Sequence, residues 1–182
     1  MLWISLGIPA LIMLGAILLY NGLVERRNRV RNAWAQIDVQ LLRRSNLIPD
    51  LMESVKGYMQ HEAAVFSKIM DARKQALAAG SDVPARSAAE AALGQQMRGL
   101  LALAEAVPEL RASGNMKSFQ EEVATTENRI AFARQFFNDA VLDYNNRLQT
   151  VPSNVIAGPC GFAPEAFFEA EPETRTRVPV KF

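Results

Sequence analysis

The fold of this chain is decided between residues 25 and 76, by the stretch ERRNRVRNAWAQIDVQLLRRSNLIPDLMESVKGYMQHEAAVFSKIMDARKQA. The stretch is rich in charges and amides, and its single glycine is Gly57. Apolar residues recur at steps of three and four, which places them on one face of a helix. They are Val30, Trp34, Ile37, Leu41, Leu51, Val55, Tyr58, Val65, Ile69, Ala72 and Ala76. The pattern predicts amphipathic helices in an all-α fold.

Pro49 predicts a break inside this pattern. Proline has no N–H and is tolerated in the first turn of a helix, and Asn46 has a side chain suited to cap a helix there. We therefore expect two helices joined by a turn near residues 44–46. A single kinked helix that continues through Pro49 is the alternative.

An uncharged segment, Leu2 to Val24, precedes the amphipathic stretch. At a rise of ~1.5 Å per residue, about 20 apolar residues cross a hydrocarbon core of ~30 Å. A cleaved signal peptide is the alternative, but such a peptide opens with a positively charged region, and here the apolar run begins at Leu2. We expect an uncleaved transmembrane anchor over residues 1–24.

Four arginines follow this anchor directly: Arg26, Arg27, Arg29 and Arg31. Because the N-terminal tail has no Lys or Arg, the positive-inside rule predicts an external N-terminus and a cytoplasmic remainder. The arginines are also candidate contacts for anionic lipid headgroups. The alternative, which has equal weight, is that the four arginines only stop translocation of the chain through the membrane.

Two further helices are predicted in the second half of the chain. The third begins between Val83 and Ser87. Pro84 favours an early start of this helix, whereas Ser87 and Glu90 have the spacing of a capping box, which favours a later start. Pro108 ends it. Its expected buried stripe is Leu93, Gln96, Leu100, Leu103 and Val107.

The fourth helix has the most regular pattern, and we expect it to run from a cap at Asn115 to a stop at Pro152. Steps of four and three indicate a heptad seam, which suits bundle packing near 20°. The seam is Phe119, Val123, Thr126, Ile130, Ala133, Phe137, Ala140, Tyr144 and Leu148.

The tail, residues 151–182, contains too many prolines for a long helix. Its phenylalanines Phe162, Phe167 and Phe168 are expected to pack on the bundle, on a neighbouring subunit or on the bilayer surface, with protein favoured because of the adjacent glutamates.

The chain resembles the LemA family of bacterial proteins over nearly its whole length. The match rests on Tyr20-Asn21, Arg27-Asn28, Ala33-Trp34, Ile37-Asp38-Val39-Gln40, Arg43-Arg44, Leu47-Ile48-Pro49, Val55-Lys56-Gly57-Tyr58, His61-Glu62, Ala104-Glu105, Thr126 to Ala131, Ala133-Arg134, Asn138, Tyr144-Asn145 and Phe162. The family pattern differs at Phe136-Phe137 and at Val107-Pro108, where this chain has one apolar residue type in place of another. The resemblance implies an N-terminal membrane helix, an up-and-down four-helix bundle over residues 25–150, and the bacterial inner membrane as the location. It implies no established molecular function.

Several classes of site find no support in the sequence. The chain has one histidine, His61, whereas di-iron bundles use Glu-x-x-His on two helices and zinc proteases use His-Glu-x-x-His. The single cysteine, Cys160, excludes an internal disulfide. A net charge of +1 gives no basic surplus for nucleic acid. We expect no enzyme activity, catalytic residue, cofactor, metal or small-molecule substrate.

A set of polar side chains lies near the predicted helical seams. We expect it to fix helix register, as buried polar layers do, with a surface for a partner as the alternative. The set is Asn28, Asp38, Arg44, Glu62, Asn128, Arg129, Arg134, Asn138 and Asn145.

The sequence therefore favours a single-pass, membrane-anchored scaffold or adaptor that binds other proteins. An oligomeric protein that organises or curves membrane is the alternative, because long helices with few glycines and an aromatic tail suit homo-oligomers and coiled-coil contacts. Neither function names a partner or a process.

Overall fold

The computed structural model describes residues 2–56 and 63–169, and those residues form helices and connecting segments without a strand. The helices are α1 (Leu2–Lys56), α2 (Ala63–Ala78), α3 (Val83–Ala106), α4 (Pro108–Arg111), α5 (Gly114–Gln149) and α6 (Ser153–Ala157). The prediction of an all-α fold with a long apolar N-terminal helix is confirmed. The expected residue Glu62, like His61, lies outside the described residues.

The chain divides into two compact units that share the long helices α1 and α5. The first unit comprises residues 1–37 and 134–166, and the second comprises residues 38–133 and 167–182. Each unit has its own set of packed residues.

The predicted turn at residues 44–46 is wrong, because α1 continues without a break through Pro49 to Lys56. In a helix the N–H of residue 49 would donate to the carbonyl of Ser45, and proline cannot do so. The Arg73 Nε atom donates to that carbonyl instead, at 2.9 Å. A side chain from α2 thus replaces the missing backbone donor, and Asn46 is an exposed residue inside α1 rather than a cap.

The second unit has a hydrophobic core built from α1, α2, α3 and α5. The core residues of α1 are Leu47, Ile48, Leu51 and Val55, and those of α2 are Ile69, Ala72 and Ala76. α3 contributes Leu93, Met97, Leu100 and Ala104, and the start of α5 contributes Met116 and Val123. The predicted stripe of α1 and α2 is confirmed wherever its members are described, except that Trp34 and Val65 are only half-buried.

α3 begins at Val83 with Pro84 in its first turn. Of the two predicted starts, the structure therefore has the early one that Pro84 favours. Its buried stripe is Arg86, Glu90, Leu93, Met97, Leu100 and Ala104. The predicted Leu103 is exposed, because the stripe runs one position away from the expected one in the second half of the helix. The turn before α3 contains Gly80 at φ 59°, a left-handed conformation that favours glycine.

The first unit packs α1 against the C-terminal part of α5. Trp34 contacts Phe137 with ring centroids 5.6 Å apart, and the Arg26 Nε atom lies 3.0 Å from an Asp143 carboxylate oxygen. Moving from Trp34 back to Arg26 corresponds to moving from Phe137 forward to Asp143, so the two helices are antiparallel here. Leu23, Val30, Ala33 and Ile37 are buried on α1, as are Phe137, Val141, Tyr144 and Leu148 on α5.

The heptad seam of α5 is confirmed, since six of its nine residues are buried and the other three, Phe119, Ala133 and Ala140, are half-buried. The helix begins at Gly114, so Asn115 lies in its first turn rather than capping it.

Candidate functional site

Five charged side chains meet inside the second unit, and we call them the ion-pair cluster: Asp38 and Arg44 of α1, Arg86 and Glu90 of α3, and Glu127 of α5. Arg44 is its centre. One guanidinium nitrogen of Arg44 donates to a carboxylate oxygen of Glu127 at 2.9 Å. The other donates to both the carboxylate and the backbone carbonyl of Glu90.

Arg86 completes the ion-pair cluster from the same helix as Glu90. Its Nε atom lies 2.9 Å from a Glu90 oxygen, and its Nη2 atom lies 3.3 Å from Asp38. Both contacts are at ion-pair distance without hydrogen-bond geometry. The side chains of Arg44, Arg86 and Glu90 are only 3–4% exposed, whereas Glu127 and Asp38 reach the surface.

The electrostatics of the ion-pair cluster keep Arg44 charged. Burial by itself lowers the pKa of a guanidinium, but the charges and hydrogen bonds of Glu127 and Glu90 outweigh it and raise the pKa of Arg44. A buried charge of this kind is stable only while its partners are present, because an unpaired buried ion costs several kcal/mol. The cluster therefore joins α1, α3 and α5 in one arrangement.

The ion-pair cluster offers little to a chemical reaction. An arginine with a raised pKa cannot act as a general base, and no His, Cys, Ser or Thr belongs to the cluster. Within residues 2–56 and 63–169, no group of three His, Cys, Asp or Glu side chains could hold a metal ion. The arrangement suits a structural role better than a catalytic one.

The predicted polar set is divided among several environments. Asp38 and Arg44 lie in the ion-pair cluster, while Asn28, Asn128 and Arg129 are exposed and Arg134 and Asn138 are half-buried. Whether the set fixes register or binds a partner stays a prediction.

Sequence reasoning missed Arg86, Glu90 and Glu127. A usable signal was present, because Arg86 and Glu90 continue the buried steps of Leu93, Met97 and Leu100 back toward the start of α3. A charged pair four residues apart and in phase with an apolar stripe indicates a buried ion pair.

The four arginines after the apolar segment lie in the first unit, and three of them contact protein groups. Arg26 pairs with Asp143 and also donates to the Gly22 carbonyl at 3.3 Å. Arg29 pairs with Glu25 at 2.6 Å, and the Arg27 guanidinium lies 4.9 Å from the ring centroid of Phe162. Arg31 is exposed. Their contact with lipid headgroups stays a prediction.

The chain after α5 returns to α1 within the first unit. Phe162 is buried, with its ring in edge contact with Tyr20 at 5.5 Å and under the Arg27 guanidinium. Asn145 and Glu165 exchange two hydrogen bonds: the Asn145 amide donates to the Glu165 carbonyl at 2.9 Å, and the Glu165 N–H donates back at 3.0 Å. The prediction that Phe162 packs on protein is confirmed, whereas Phe167 is exposed.

Tyr144 lies under this returning segment and is fully buried. Burial raises the pKa of its hydroxyl, and the charge of Glu165 adds to the rise, while Arg27 and Arg31 oppose it. The phenol therefore stays neutral at physiological pH.

In the second unit, the tail is held by a hydrogen bond from the buried Ser87 hydroxyl to the Glu169 carbonyl at 3.1 Å. Phe168, next to it, is buried. The terminal residues 170–182, including the apolar end from Val178, lie outside the described residues.

Comparison with known proteins identifies the family. A family model described as the LemA family matches residues 33–182. The chain belongs to the LemA family. The matched range begins within α1, after the apolar segment, and contains all five residues of the ion-pair cluster.

Individual relatives are distant but cover most of the chain. Magnetosome protein MamQ of Magnetospirillum gryphiswaldense is 23% identical over 184 residues, which cover 87% of this chain and 68% of the relative. Protein LemA of Metamycoplasma hominis is 28% identical over 162 residues, which cover 87% of this chain and 72% of the relative. The predicted resemblance to the LemA family is thus confirmed.

Proposed function

We propose that this LemA-family chain is a single-pass, membrane-anchored scaffold or adaptor, with the start of α1 as its anchor. The observation that carries the proposal is the contrast within one helix. In α1 the large apolar side chains from Leu6 to Leu18 are all exposed, whereas from Leu23 onward one apolar stripe is buried and residues off that stripe, such as Val39, are exposed. Residues 2–24 span about 34 Å as a helix, enough for a hydrocarbon core of ~30 Å.

The scaffold role is supported by the ion-pair cluster, whose buried charges pair with one another across α1, α3 and α5. Such a cluster holds three helices in register while their outer faces remain free for partners. Absence of enzyme activity is part of this proposal. A purified full-length chain that turned over a substrate, with turnover abolished by one point substitution, would replace it with an enzyme.

A direct test places photo-crosslinking residues on the exposed faces of the second unit, at Val39 and Phe132, in native membranes. A scaffold gives the same protein partner at a reproducible position from both sites. The matched control places the crosslinker at Ile12 in the exposed apolar part of α1, which should give lipid adducts. Lipid or solvent adducts alone at Val39 and Phe132 would refute an adaptor role for these faces.

The proposed topology has the N-terminus outside and the remainder in the cytoplasm of a bacterial inner membrane. A reporter that is active only outside the cytoplasm, fused after residue 182, should be silent. Neutral residues at Arg26, Arg27, Arg29 and Arg31 should weaken or invert the orientation, because the Lys/Arg difference across the helix sets it. An active reporter on the unmodified chain overturns the cytoplasmic location.

An oligomeric membrane-organising protein is the second candidate, and exposed apolar side chains in the first unit favour it. Phe136 and Leu142 of α5 are 54% and 50% exposed, and burial of these side chains between chains would be favourable. Crosslinking in membranes that gives only monomers counts against this candidate.

A further inference from the structure

The corner between α5 and α6 lies at the same level as the proposed anchor in the first unit. Asp143 pairs with Arg26, and α5 continues for six residues to Gln149, about 9 Å farther in the direction of the α1 N-terminus. Nine ångströms back along α1 from Arg26 is Tyr20, which lies inside the uncharged segment. The ring contact between Phe162 and Tyr20 independently places the segment that follows α6 at the level of Tyr20.

The corner lacks charged residues, as does the part of α1 at the same level. Residues 148–164 contain no charged side chain, and the run is bounded by Arg147 and Glu165. Two of its apolar side chains, Val151 and Val155, are 77% and 69% exposed. Both side chains therefore leave favourable burial unrealised if they remain in water.

We propose that the α5–α6 corner, residues 150–160, inserts Val151 and Val155 into the boundary between lipid headgroups and acyl chains. The inference rests on the proposed anchor, because the anchor defines where the bilayer lies. Tyr20 is four residues, or about 6 Å, inside the last uncharged residue, Val24, so a segment at its level reaches the boundary region.

Lipid fits this surface better than a second copy of the chain. The uncharged runs of α1 and of the corner occur at nearly one level, because the first charges that bound them, Glu25 on α1 and Arg147 on α5, lie within about 5 Å of each other along the helix axis. A protein interface needs no such match, whereas a bilayer imposes it, because a charge below the headgroups costs several kcal/mol. The corner is thus a second membrane contact beside the anchor.

Cys160 provides the probe for a test on the full-length chain. It is the single cysteine and is exposed at the end of the corner. The protein is labelled there with an environment-sensitive fluorophore and reconstituted into vesicles of equimolar phosphatidylethanolamine and phosphatidylglycerol carrying a spin-labelled lipid quencher. We expect a blue shift and loss of most of the emission.

Two labels in a Cys160→Ser chain supply the references. Ile12→Cys reports the anchor and should be strongly quenched, whereas Gln135→Cys, an exposed site about 21 Å from the end of α5, should not be. A Cys160 label quenched no more than the Gln135 label, with the Ile12 label quenched, overturns the corner contact and leaves the anchor standing. An unquenched Ile12 label overturns the anchor and the corner contact with it.

A pair of substitutions tests the two valines themselves. Val151→Asp with Val155→Asp should shift the Cys160 emission toward that of a label in water. Leu142→Asp is the matched control, an exposed apolar residue of α5 at the level of Arg26, and should leave the emission unchanged. Quenching at Cys160 that survives the paired valine substitutions unchanged contradicts the proposal.

Discussion

The backbone carbonyl of Ser45 accepts a hydrogen bond, and the residue at position 49 determines whether its donor is a backbone N–H or a side chain. In the natural chain Arg73 donates to it at 2.9 Å, because residue 49 has no N–H. Replacing Pro49 with alanine restores a backbone donor to the same oxygen. We therefore predict that Arg73→Met is costly in the natural chain and nearly neutral in the Pro49→Ala chain.

The magnitude follows from burial and from the charge of the donor. Ser45 is 1% exposed while Arg73 is in place, so Arg73→Met takes a charged donor from a largely buried carbonyl. A hydrogen bond from a charged donor contributes about 1.5–3 kcal/mol, and Arg73→Met should destabilise the natural chain by that amount. In the Pro49→Ala chain the same change should cost about 0.5 kcal/mol or less, which gives a coupling free energy of about 1–3 kcal/mol.

The assay is urea unfolding of the full-length protein in a mild non-ionic detergent, followed by helical circular dichroism, for the natural chain, each single variant and the double variant. Lys74→Met, an exposed neighbour on α2, is the control and should have the same small effect in both backgrounds. If Arg73→Met lowers the free energy of unfolding equally in both backgrounds, Arg73 does not substitute for the missing N–H.

Four further predictions concern stability; three are measured by the same urea unfolding, and the deletion is measured by its melting temperature and by membrane retention. Glu90→Gln should destabilise by about 3–5 kcal/mol, because it leaves two buried guanidinium groups short of their shared carboxylate. Ile130→Ala should cost about 2–5 kcal/mol and Trp34→Ala should fall near the lower end of that range, since Trp34 is only half-buried. The pKa of Tyr144 is raised in the folded state above its usual 10.0, so the folded protein holds this proton to higher pH than the unfolded chain. Stability should therefore decline above about pH 10, and Tyr144→Phe should reduce that decline. Deletion from residue 161 onward removes Phe162 from its contact with Tyr20 and Arg27, and should lower the melting temperature while membrane retention is kept.

The Glu90→Gln prediction has a matched control in an exposed ion pair. Glu122→Gln breaks an exposed pair with Arg43 and should change stability by about 0–1 kcal/mol. A Glu90→Gln effect no larger than this would show that the ion-pair cluster does not hold the helices. An unchanged alkaline decline in Tyr144→Phe would assign that decline to other groups. A deletion that leaves the melting temperature unchanged would show that the tail contributes nothing to stability.

Local pattern was sufficient for most of the helical architecture. The α5 seam from Val123 to Leu148 and the α1 stripe from Val30 to Val55 were both readable, because the 3.6-residue period alone determines which side chains share a face. The stripe of α3 was placed incorrectly in its second half, since Leu103 and Ala104 are both apolar and only packing distinguishes them. The buried charges Arg86 and Glu90 continue that stripe at the same steps, so their phase in the sequence indicates burial, whereas their partners on α1 are defined only by packing.

What the sequence by itself determined is therefore the set of properties that act over one or two turns of the chain: helix type, apolar faces and the uncharged run before Glu25. What only the tertiary structure decided involves partners far apart in the sequence. Pro49 does not end α1, because a donor from residue 73 reaches the carbonyl it leaves free. Arg44 is buried because Glu90 and Glu127 approach it from two other helices. Whether a helix ends at a given residue, or a charge is buried, depends on a few kcal/mol of hydrogen-bond and ion-pair free energy. The donor or counter-charge that contributes this free energy can lie far away in the sequence.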